Sequence, residues 1–187
     1  MTKQVTLSCA IALHLIAAAA PLRAAGGHAA AAPQDPFVYR PEDAARAFEG
    51  AAHATVRFRR DRVITAVVAD TPERSMYGYM FHREVKEDEG MLFVYPESGS
   101  HPFWMKNTLV PLDIVWMDEA FNILYIEAPA KPCQADPCPS YGTPRLSRYV
   151  LELRAGTARQ EALKPGDRLS VSLPGDGASP ARDGVAK

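Results

Sequence analysis

Residues 103–118 read FWMKNTLVPLDIVWMD, with Phe103, two Trp and two Met set around a polar knot of Lys106, Asn107, Thr108 and Asp113. Polar side chains crowded this closely against large apolar ones belong either to a functional surface or to a buried network that holds one fold. Pro111 leads into an apolar run, 112–117, with the character of a strand. Asp113 lies in that run between Leu112 and Ile114, so its side chain faces opposite to both. Asn107 and Thr108 are residue types that bond their own backbone at sharp turns. Trp104 and Met105, like Trp116 and Met117, are chain neighbours whose side chains alternate across a strand. On a one-sided sheet, one member of each pair is then covered by a loop or left in a groove. An aromatic groove with a polar rim suits a sugar, a peptide or an apolar small molecule.

Outward from this stretch, strand signals dominate. Runs at 55–58, 63–69, 91–95, 123–127, 149–153 and 168–173 join 112–117 to make about seven strands. Arg60-Asp61 and Asp118-Glu119-Ala120 predict hairpin turns, the second with its acids exposed. The run 149–153 alternates only partly, which predicts one wetter face. A helix is predicted over 71–82, with Thr71 as N-cap, Pro72 at the first position and Met76, Tyr77, Met80 and Phe81 as its apolar stripe. Gly78 lies inside that helix and predicts close packing against a strand or loop. A second helix, 157–163, stops at Lys164-Pro165-Gly166. The expected fold is mostly β (α+β), a compact barrel-like antiparallel or mixed sheet with one or two short helices.

The flanks are of another kind. Lys3, an apolar run over 5–20 and the small residues at 24–27 read as a secretory signal peptide over 1–24. The run is shorter than the roughly 20 residues that a membrane-spanning helix needs. A flexible leader is expected over 25–52, a single β-rich domain over 53–173 and a disordered tail over 174–187. Loss of Lys3 and Arg23 with the signal takes the formal charge from −1 to −3. Arg57, Arg59, Arg60 and Arg62 are interrupted by Asp61 and split between strand faces, so nucleic acid is not an expected partner. Once Cys9 is removed, Cys133 and Cys138 remain, and in an exported protein that pair reads most simply as a disulfide. Half a metal site is the competing reading, but zinc wants further ligands, and His53, His82 and His101 are scattered. No cofactor motif is present. The loop 129–147 carries five prolines and is either a binding loop or a rim segment pinned by its cysteines.

Several motifs fall in the order of one family: TPER at 71–74, GYM at 78–80, GMLFV at 90–94, FWMKNT at 103–108 and PLDI at 111–114. PC at 132–133, CP at 138–139, Tyr141, LEL at 151–153, AG at 155–156 and GD at 166–167 follow. Across about residues 55–172 the chain resembles the domain of unknown function 192 family. The resemblance implies a compact, mostly β, barrel-like domain with one or two short helices, often exported, and it brings no accepted catalytic residues. Tyr79 departs from the family's usual Leu, a change that widens or polarises one contact.

The candidate ligand-binding or structural residues are Arg74, Trp104, Lys106, Asn107, Thr108 and Asp113. In one reading Asp113 accepts from the Asn107-Thr108 turn or pairs with Arg74, as a latch between helix and sheet. In the other, these residues hold a polar or anionic ligand. The expected function is an exported single-domain binding or accessory protein, with a groove between helix 71–82, segment 103–113 and loop 129–147. Its partner would be a small molecule, a glycan or an envelope protein. The alternative is a small hydrolase or transferase acting on cell-envelope material, with Asp113 as general base and Asn107 or Arg74 stabilising negative charge. No nucleophile motif supports it: Ser98 and Ser100 lack a GxSxG turn, and His101, before Pro102 in a Gly/Ser loop, reads as exposed.

Overall fold

The expected hairpin forms between β1 (His53–Arg57) and β2 (Val63–Ala69), antiparallel with Val56 opposite Ile64. Asp61 at its turn has φ 63°, a left-handed conformation that a short polar side chain tolerates. This computed structural model describes residues 38–175, so the expected signal peptide, the leader to residue 37 and the tail from 176 lie outside the described residues. In the part of the leader that is described, α1 (Pro41–Ala47) packs Ala44 and Ala47 against Tyr77 and Met80.

After β2 come α2 (Pro72–Tyr77), β3 (Glu89–Gly99), β4 (Phe103–Trp104) and β5 (Leu112–Met117). Then follow β6 (Ile123–Ala130), β7 (Ser140–Tyr141), β8 (Ser147–Arg154), α3 (Thr157–Gln160) and β9 (Ser170–Ser172). Seven of the strands form one mixed sheet in the order β6-β5-β8-β3-β2-β1-β9, and β4 pairs with β7 apart from it. Only β2 and β3 run parallel, and α2 with the loop after it supplies the crossover such a pair requires. The sheet curls into a half-barrel. Its edges approach through the chain before β9: Ile123 donates to the Asp167 carbonyl at 2.7 Å and Leu169 to that of Phe121 at 3.1 Å. Bringing the edges together protects backbone groups that would otherwise be open to a foreign strand.

Both faces of the sheet are buried. Phe58, Ile64, Leu92, Val115, Met117 and Leu151 fill one core, and Met91, Phe93, Phe103, Met105, Ile114 and Trp116 the other. The one-sided sheet of the sequence reading is therefore corrected. Trp116 and Met117 point to opposite faces and both are fully buried, because each face has its own cover. Trp104 and Met105 do divide as expected, Met105 inside and Trp104 36 % exposed.

The helices are shorter than their patterns. Thr71 caps α2, its hydroxyl accepting from the Arg74 N–H at 3.2 Å. The helix then stops at Tyr77 because Gly78 takes φ 49°, leaving Met80 and Phe81 beyond it. Gly78 thus ends the helix instead of weakening its middle. Ala162, at φ 52°, likewise ends the turn after α3 before residue 163. In the proline-rich loop, Cys133 and Cys138 are joined by a disulfide with Cα atoms 5.7 Å apart.

Candidate functional site

Glu152 lies near the middle of β8, opposite Met91 of β3 on one side and Ile114 of β5 on the other. Directly opposed residues of antiparallel strands share a face, so the carboxyl enters the core that holds Met91, Ile114 and Trp116. It is 4 % exposed. Oε2 has no hydrogen-bond partner. What lies over it is Gly78: a Cβ there would sit 3.4 Å from Oε2 and 3.1 Å from Cζ of Phe93. The positive-φ glycine that stops α2 therefore also lets backbone approach β3 and β8 where a Cβ would crowd the Phe93 ring.

Above this carboxyl is a cavity of about 230 Å³, bounded by the end of α2, β3 and β4. Tyr77, Tyr79, Phe93, Tyr95, Phe103 and Trp104 are among its walls, with Ser75 and Thr108 as polar rim. Phe103 meets Phe93 edge to face at 4.7 Å and Trp116 at 5.7 Å, which fixes the aromatic wall from behind. Burial pushes Glu152 up to about 8, against the backbone N–H of Tyr79, which favours the ionised form. Tyr79 and Tyr95 are raised too, first by their own burial and then by the neighbouring Glu152 charge. The site thus holds a neutral acid near pH 7 that can donate one proton or, on meeting a positive charge, ionise.

The structure divides the sequence candidates. Trp104 and Thr108 line the cavity. Lys106 stands beside it, 5.3 Å from the Trp104 ring and paired with Asp136 at 3.0 Å. Asn107 takes φ 56° and its carbonyl accepts from Phe81 at 2.9 Å, so it forms the turn that docks this segment on the end of α2. Arg74 pairs with Asp70 at 2.8 Å and donates through Nε to the Ala47 carbonyl at 2.9 Å, holding the C-terminus of α1.

Asp113 is paired with neither Arg74 nor the Asn107-Thr108 turn. It shares the face of its register partner Leu153, in the first core, whereas Glu152 points to the second. It is fully buried, and its Oδ2 accepts the Ala158 N–H at 2.8 Å. Gly156, the residue before α3, has no side chain to cap that helix, and Asp113 does so from β5. Burial raises its pKa against the opposing N–H groups of Ala158, Gly156 and Thr157. A carboxyl closed inside this core has no access to a substrate, so the geometry removes it as a general base.

Two more expectations are corrected. Residues of loop 129–147 are not among those lining the cavity; the loop braces β4 from the side, Phe103 pairing with Tyr141 and Cys133 donating to the Met105 carbonyl at 3.0 Å. His101 is half-buried and stacked on Tyr95 at 3.4 Å, with Trp116 Nε1 donating to its carbonyl at 2.8 Å. Glu152 was not among the candidates. Its signal in the sequence was a single charge inside the apolar run 149–153.

A second cavity of about 670 Å³ lies under α1, with Phe48, His53, Thr65 and His82 on its walls and Tyr79 shared with the first. Its sides hold no buried unpartnered polar atom among the described residues. Among those residues no group of three or more His, Cys, Asp or Glu is placed to hold a metal, and no helix is long and apolar enough to cross a membrane.

Comparison with known proteins gives a family and relatives of known structure, among them the following two. A protein from Sinorhizobium meliloti 1021, provisionally named a transcription regulator, is 31 % identical, with TM-score 0.58 over 65 % of this chain and 95 % of its own. A protein of unknown function from Novosphingobium aromaticivorans DSM 12444 is 29 % identical, with TM-score 0.58 over 64 % of this chain and 84 % of its own. None of the functionally curated proteins matches the chain. The family model described as "Uncharacterized ACR" matches residues 54–171, which takes in every strand from β2 to β8 and the cavity they bound. The chain belongs to the DUF192 family.

Proposed function

We propose that the protein is an exported binding or accessory module that takes a small ligand in the cavity over Glu152. One observation carries this reading: a buried carboxyl oxygen without a partner lies under an aromatic cavity. A buried polar group is ordinarily hydrogen-bonded, and leaving one unpaired costs about 1–3 kcal/mol. A ligand that completes its bonding offsets that cost. Export is supported by the N-terminal apolar run and by the pairing of the two cysteines that would outlast processing.

The regulator name of the Sinorhizobium relative is not extended to this chain. Duplex binding needs clustered free cations. Here Arg59 pairs with Asp167 at 3.0 Å, Arg60 donates to the Gln160 carbonyl at 2.8 Å, and Arg62 pairs with Glu161 at 3.4 Å.

Gentle-ionisation mass spectrometry of the protein from the exported fraction tests the proposal. The expected result is a chain beginning within residues 21–32 that carries a small adduct, displaced in Trp104→Ala. Adduct-free protein, together with a fragment screen by NMR that perturbs no cavity residue, would sink it.

A further inference from the structure

Glu152 has no ion-pair partner among the described residues. Among the described residues lining its cavity, none is Lys, Arg or His. Of the cations on the surrounding elements, Arg74 of α2 is engaged with Asp70 and the end of α1, and Lys106, beyond β4, pairs with Asp136 while its ammonium lies 5.3 Å from the Trp104 ring. On β3, Glu89 adds negative charge toward Tyr79. His101, stacked on Tyr95, is shifted by burial toward its neutral form. Asp113 of β5 faces the other side of the sheet. A charge entering the cavity would meet one carboxyl and aromatic walls, an environment that attracts cations. At about 230 Å³ the space suits a small molecule more than a glycan chain or a peptide.

We infer that the cavity is a binding site for a small organic ammonium ion, its charge set against the Glu152 carboxylate and its carbon groups against the rings of Tyr79, Tyr95 and Trp104. This deepens the proposed function and rests on it. Glu152 is protonated near neutral pH, so an arriving ammonium ion drives its ionisation, and the proton leaves to solvent. Tyr79 and Tyr95, both raised well above their ordinary values, stay neutral and give up nothing.

The test is calorimetry of the purified protein at about pH 6 with benzylamine, tetramethylammonium and benzyl alcohol, in two buffers of different ionisation enthalpy. Both cations should bind, with benzyl alcohol about tenfold weaker or worse. Each cation should release close to one proton and the alcohol none. Glu152→Gln should erase the preference and the proton release, while Trp104→Ala should weaken all three probes. Equal binding of benzylamine and benzyl alcohol, or cation binding without proton release, overturns the ammonium assignment while leaving a small-ligand cavity. Failure of all three to bind at millimolar concentration, with no NMR perturbation around Glu152, overturns both readings.

Discussion

Replacing Glu152 by Gln keeps the shape of the side chain and removes its titration, which makes the pair a direct reading of the buried acid. In the unfolded chain the carboxyl ionises near its ordinary value of 4.5, and in the folded protein it holds its proton up to about 8. Between those values the folded state binds more protons than the unfolded one, so the unfolding free energy falls as pH rises. Glu152's contribution is complete below pH 4.5, declines across the window and is lost above about pH 8. The slope is about 1.4 kcal/mol per pH unit, for a total on the order of 4–5 kcal/mol. Gln has no such dependence. Asp113, His82 and His101 titrate alike in both proteins and cancel in the difference. Urea unfolding of both proteins from pH 5 to 8 should therefore show Glu152→Gln gaining on the parent by about 1 kcal/mol or more at each unit. Parallel curves would mean that the carboxyl is not held as a buried neutral acid. The argument for a cation in the cavity would then lose its premise.

Asp113→Ala strips the cap from α3 and should cost about 1–3 kcal/mol in thermal or urea unfolding while leaving ligand binding at the cavity unchanged; an unaltered melting temperature would refute the cap. Asp118, which looks like an exposed turn acid in the sequence, accepts from the N–H groups of Ala120 and Asn122 and from the Asn122 side chain, each at 2.9 Å. Burial pushes its pKa up, but those bonds outweigh it and the net shift is downward. Asp118→Ala should cost about 1–2 kcal/mol at pH 7 and progressively less on acidification below its ordinary carboxylate range. Glu119→Ala should stay within about 0.5 kcal/mol, since among the described residues its carboxylate accepts one side-chain hydrogen bond, from the Ser98 hydroxyl at 3.0 Å. Thiol labelling of denatured, unreduced protein should find neither Cys133 nor Cys138 free, and one labelled thiol would mark a chain that still carries Cys9.

Local features of the fold were legible because local chemistry makes them. Asp61 in the first hairpin turn, Thr71 at the start of α2 and the alternation of Val56 and Ile64 each act within a few residues, so their outcome is written in the sequence around them. Helix ends were less legible. Gly78 reads as a packed glycine in either setting, and only its φ of 49° shows that the chain turns away there. The polar knot was found, but its partners were not. Nothing near Asp113 in the chain announces a helix N-terminus 45 residues later, because hydrogen-bond partners across a sheet are set by strand order.

Periodicity, turn residues and family motifs are short-range properties, and from them alone come a mostly β domain of the DUF192 family, the seven strands of its main sheet, its first hairpin and its cysteine pair, but not the short β4 and β7. The tertiary structure decided which acid matters and where. Once the sheet is covered on both faces, alternation no longer sorts inside from outside. It sorts one core from the other, sending Asp113 to a helix cap and Glu152 to the floor of a cavity. That assignment depends on which elements cover each face, a long-range fact that no window of sequence contains.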